Sequence, residues 1–154
     1  MAAKTSFLKP ISTITILLWG AFVTWVGTVC VLSSLSASTL SFFPHPFSGF
    51  DKVVHGLLFF VGGALLTAAI RKTVCVSWTI ILIVSITTLS AFGCGDEIHQ
   101  LFTVGRSGGD LGDWLANFTG VIMGSSVAWL VMCFLEFLPI INASLTMQFS
   151  DNSK

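Results

Sequence analysis

Asp51 and His55 stand four residues apart, Glu97 and Gln100 three apart, and Asp110, Asp113 and Asn117 follow at intervals of three and four. On helices each set forms one stripe, because residues three and four apart share a face. A carboxylate beside an imidazole supplies acid–base chemistry. Glu97, Asp51 and His55 together have the donor types of a divalent-cation site. The guanidinium of Arg106 is a planar fork suited to two-point contact with a carboxylate or a phosphate. No H-E-x-x-H spacing accompanies these residues, so the sequence assigns neither a metal nor any other cofactor. There is no nucleophile elbow, P-loop or dinucleotide fingerprint. His99, between Glu97 and Gln100, projects off their face and is expected to be exposed. His45 lies between prolines with no visible partner and receives no role.

The surroundings of these residues are unusually apolar. Of 154 residues, 54% are hydrophobic and 9% charged, against about 25% charged in soluble domains. The stretch from Gly95 to Gly120 nevertheless holds five of the fourteen charged side chains. A soluble domain of this size could not hide so much apolar surface, so the expected solvent is the lipid bilayer. The formal net charge is zero, which leaves no basic footprint for nucleic acid. Cys30, Cys75, Cys94 and Cys133 are scattered without a C-x-x-C and read as small apolar residues in helices.

Four windows approach or exceed the ~20 apolar residues a spanning helix needs: about 11–35, 53–70, 74–92 and 111–138. Lipid offers no partners to backbone groups, and the windows do not alternate as barrel strands would. The expected fold is all-α, an integral membrane four-helix bundle. Residues 1–10 form its N-terminus, 11–138 the membrane domain and 139–154 a polar tail. The first window exceeds the ~7–15 residues of a signal-peptide core and reads as a retained helix. With the N-terminus cytoplasmic, the inner side carries Lys4, Lys9, Arg71, Lys72 and Lys154, and the outer side only Lys52 and Arg106. This asymmetry favours N-in and C-in placement in a cell inner membrane. The acids sort oppositely, giving a formal −3 outside and +3 inside. Gly120 and Gly124 permit close helix approach and are expected to pack within the bundle. Of the tryptophans, Trp114 and then Trp78 best fit interfacial anchors.

The stripes on the second, third and fourth helices fall at one predicted depth. One reading is a structural clasp, in which Arg106 bridges the third and fourth helices through Glu97 or Asp113 while Asn117 caps backbone groups. The other is an outward-facing polar pocket of Asp51, His55, Glu97, Gln100, Arg106, Asp110, Asp113 and Asn117, binding a head group or a cation. An enzyme acting on a lipid or polyprenyl phosphate head group is the alternative in which the same residues turn over their ligand.

The segments "DKVVHGLLFFVGGAL" and "DEIHQLFTVGRSGGDLGDWLANFTGVIMG" together resemble the VanZ-like membrane proteins. The resemblance rests on an ordered set: Asp51, Lys52 and His55 opening one helix, Glu97 and Gln100, the Gly105-Arg106 turn, Asp110, Asp113, Asn117 and Gly120. It covers about residues 50–124. Val104 stands where the family often has proline, and Asp110 where serine or another residue is common; the turn is therefore expected to be looser and more acidic. The resemblance implies a small bacterial membrane protein of the cell envelope with a link to glycopeptide (teicoplanin) resistance. Its implied partners are a glycopeptide or a lipid-linked envelope precursor. Fold transfers across such a family better than activity.

Overall fold

The computed structural model describes residues 7–42 and 46–151, with side chains through residue 139; His45, Lys4 and Lys154 lie outside the described residues. Its elements are α1 (Thr13–Ser34), the short α2 (Ala37–Leu40), α3 (Phe50–Thr73), α4 (Trp78–Gln100) and α5 (Leu111–Asp151). Serines start three of them: Ser12 accepts from Thr15 N at 3.2 Å, Ser36 from Thr39 N at 3.3 Å and Ser77 from Ile80 N at 3.4 Å. Each satisfies a backbone donor that the first helical turn leaves unpaired. Gly49, at φ 83, turns the chain into α3 in a conformation that favours glycine.

The protein is an all-α membrane bundle. Four helices are long and apolar enough to cross a bilayer: Thr13–Ser34, Phe50–Thr73, Trp78–Gln100 and Leu111–Pro139. Only 17% to 33% of their most apolar windows is buried inside the protein. Most apolar side chains, such as Leu17, Val23, Ile83, Leu130 and Phe134, therefore face outward. That distribution is stable only in a hydrocarbon solvent.

The interior is narrow and aromatic. Trp25, Val29, Phe59, Leu66, Leu89 and Val121 form its core. Trp25 packs edge-on to Phe59 at 5.5 Å between centroids and donates its indole N–H to Leu58 O at 2.8 Å, so its polar atom is satisfied although the residue is buried. The α3–α5 seam is glycine-lined. A Cβ on Gly120 would collide with the Gly56 carbonyl, and one on Gly124 with the Phe60 carbonyl. Both glycines thus lie within the bundle's own seam.

Helix ends differ from the apolar windows. α3 starts at Phe50 and takes Asp51 and His55 into its first turns. α4 starts at Trp78 but runs to Gln100, eight residues past the expected limit, through Gly93 and Gly95. α5 continues through Pro139 to Asp151; proline removes one backbone donor, and the helix passes it. Cys75 lies in the α3–α4 connection rather than in a helix. The N-terminal segment closes that end: Leu8 bridges Val74, and Lys9 N donates to Thr73 O at 2.9 Å.

Candidate functional site

α3, α4 and α5 bring their polar stripes to one end of the bundle, beside the C-terminal end of α1. The connection from α4 to α5 makes this possible by folding back over α4. Gly105 and Gly109, at φ 75 and 76, turn the chain, and Gly108 lies against the backbone of Glu97, Gln100 and Leu101. Gly109 N donates to the Glu97 carbonyl at 3.1 Å, and Asp110 N to Glu97 Oε2 at 3.2 Å. Thr103 Oγ1 donates to Ser33 O at 3.2 Å, tying the turn to α1. Val104, in the position often held by proline, accepts from Ala37 N at 3.2 Å.

Glu97, Gln100, Asn117 and Asp113 are buried, at 3%, 3%, 1% and 8% exposure, and Asp96 joins them at 9%. His55 Nδ1 lies 3.0 Å from Asn117 Oδ1 and 4.0 Å from Glu97 Oε1. Gln100 donates from Nε2 to Asp96 Oδ2 at 3.0 Å and accepts on Oε1 from Arg106. Lys52 donates to Asp113 Oδ1 at 2.8 Å and Asp110 Oδ2 at 3.0 Å, and lies 3.7 Å from Asp51. Within this cluster two buried atoms have no hydrogen-bond partner: Glu97 Oε1 and Asn117 Nδ2.

The eight residues read from the sequence therefore converge, but through other pairs than expected. Arg106 ties to Gln100 rather than to Glu97 or Asp113. Asn117 holds His55 instead of capping backbone. In this cluster the ion pair between α3 and α5 is made by Lys52 with Asp113. Asp51 sits exposed at the rim. His99 is exposed and meets Ser34 Oγ at 3.2 Å. Asp96 is the residue that reading of the stripes missed. Its position four before Gln100 was the available signal, overshadowed by the Glu97–Gln100 pair.

A cavity of about 530 Å³ opens beside this cluster. Val29 and Leu32 of α1, Leu40 of α2, and Phe50, Val54 and Leu58 of α3 give it apolar lining. His55, Asp96, Gln100, Arg106 and Asp113 give it polar lining. Glu97 and Asn117 do not line the cavity, and Asn117 holds His55 through their hydrogen bond. Donor atoms of His55, Asp96 and Glu97 all lie within 4.8 Å of one another, a group that could hold a metal ion among the described residues.

Compared with known proteins, the chain matches the profile of the VanZ/LLP1 family over residues 5–135. That span includes all four membrane helices up to Leu135 and every residue of the cluster. No curated protein and no solved structure matches the chain.

Proposed function

We propose a function on one premise: the chain belongs to the VanZ/LLP1 family. It acts as a membrane binding protein whose chamber takes the polar head of an envelope amphiphile, a lipid-linked wall precursor or a glycopeptide. Through that binding it contributes to teicoplanin tolerance. The observation that carries this reading is the mixed lining of the chamber: apolar side chains of α1, α2 and α3 share it with polar side chains of α3, α4, α5 and the Arg106 turn. An amphiphile entering from the bilayer keeps its chains against Leu32 and Val54 and places its head against Gln100 and Arg106. Arg106, with its fork, is the group suited to a head-group phosphate or carboxylate.

A clasp is the second reading, favoured by Lys52, which joins α3 to both Asp110 and Asp113. One paired assay separates the two. Val54→Trp fills the chamber from its apolar lining without touching any hydrogen bond of the cluster. In cells sensitised to teicoplanin, the variant is expected to reach wild-type membrane abundance and to lose tolerance. Full tolerance at normal abundance would eliminate the chamber reading and leave the clasp.

A further inference from the structure

His55, Asp96 and Glu97 come from two helices, and each offers one donor atom within 4.8 Å of the others. Exposed acidic clusters are common and mean little, but these carboxylates are more than nine-tenths buried. Moreover, Glu97 Oε1 is buried without a hydrogen-bond partner. A buried carboxylate oxygen left unpaired is costly unless a cation or donor meets it. The three residues are also held in place. Glu97 is fixed by Asp110 N on its other oxygen, Asp96 by Gln100, and His55 by Asn117. Such outer contacts orient ligands in metal sites.

We infer that His55, Asp96 and Glu97 bind a first-row divalent cation, such as Zn²⁺, at the floor of the chamber. The donor set of one imidazole and two carboxylates suits that class, and it leaves coordination positions open. The spacing is within reach: an ion equidistant from three donors that lie within 4.8 Å of one another sits at most about 2.8 Å from each, roughly 0.6–0.8 Å beyond the ~2.0–2.2 Å of zinc–nitrogen and zinc–oxygen bonds. An inward rotation of the three side chains by that distance closes the ring. His55 and Asp96 also line the chamber, so the ion's open positions face its contents. This deepens the chamber reading: a cation there supplies the positive charge that lets an acid-rich mouth accept an anionic head group.

The test uses the full chain in detergent, freed of metal, with Zn²⁺ added in equilibrium dialysis and no amphiphile present. Wild type is expected to bind one equivalent saturably, to bind Ca²⁺ far more weakly, and to melt at higher temperature with Zn²⁺. Asp96→Asn, Glu97→Gln and His55→Gln should each weaken binding at least about tenfold, since even outer-contact changes cost that much. Glu136→Gln, in the ion pair at the opposite end of the bundle, should bind as wild type. No saturable Zn²⁺ binding by folded wild type would overturn the inference, as would binding undiminished in all three ligand variants. Should a ligand variant fail to fold, the wild-type stoichiometry and Zn²⁺-dependent melting still decide. Because Zn²⁺ is measured alone, failure of amphiphile binding and failure of the metal site give separate results.

Discussion

Lys52 balances the carboxylates where α3 and α5 begin. Its ammonium contacts three carboxylates, and one of them, Asp113, has a side chain only 12% exposed. An exposed pair contributes little, but removing the partner of a buried charge leaves that charge uncompensated. Lys52→Met is therefore expected to lower the melting temperature in detergent by about 2–4 °C, the shift roughly 1 kcal/mol produces in a chain of this size. Adding Asp113→Asn should recover most of the loss; a double variant no better than Lys52→Met would show that the contact to Asp113 is not the source. Asp110 gives a pH signature. The Lys52 ammonium and the Gly112 N–H hold its carboxyl below the ordinary value of 3.8. With the folded value depressed, the contact contributes fully above the ordinary value and is lost as pH falls through the folded one. Melting curves of wild type and Asp110→Asn should thus keep a constant separation from about pH 8 to 5 and converge in stronger acid.

Among the elements, the α3–α5 seam carries the tightest approach, and glycine makes it possible. The atom that a Cβ on Gly124 would meet is the Phe60 carbonyl, part of a helix backbone that cannot swing aside. Overpacking of this kind costs about 1–3 kcal/mol or more. Gly124→Leu is expected to lower membrane abundance and melting temperature sharply, whereas Gly20→Ala on α1, where nothing lies within 4 Å, should change neither. Equal effects from both would remove the seam as the cause. This glycine pair was readable in the sequence, as were the four apolar windows, because hydropathy and small-residue spacing are local properties. The ends of α3 and α4 were not. Apolar runs measure the thickness of hydrocarbon, while backbone hydrogen bonding carried α4 on through its polar last turns to Gln100. The partners within the site were hidden for a related reason. Spacing placed Glu97, Gln100, Asp113 and Asn117 on shared faces, but which lysine or arginine crosses between helices depends on their rotation. That rotation goes with Gly120 seated on Gly56 and with the turn folded over Glu97; the glycines are visible in the sequence, but the backbone each one meets is not. Asp96 faces the chamber through the same rotation.

At the scale of the whole molecule, the charges divide between two ends. Asp51, Lys52, Asp96, Glu97, Arg106, Asp110 and Asp113 gather where α3 and α5 begin and α4 stops. At the opposite end Arg71 pairs with Glu136 at 2.9 and 2.7 Å, stands 4.6 Å over the ring of Trp78, and accepts on its carbonyl from Lys9 Nζ at 2.7 Å. That end carries Lys9, Arg71 and Lys72 against a single acid among the residues with described side chains. Positive residues flanking membrane helices are retained on the cytoplasmic side, so the chamber is expected to face away from the cytoplasm. Two exposed positions report on this. Ser107 lies in the turn at the chamber's mouth, and Cys75 lies in the α3–α4 connection at the other end. In a background where the other cysteines are replaced by serine, a membrane-impermeant maleimide should label Ser107→Cys in intact cells. It should reach Cys75 only after the membrane is opened. The reverse pattern would place the chamber inside, where it meets no glycopeptide added from outside. The binding reading would then have to be rebuilt around ligands of the inner leaflet, while the Zn²⁺ site, which depends on three side chains rather than on sidedness, would be unaffected.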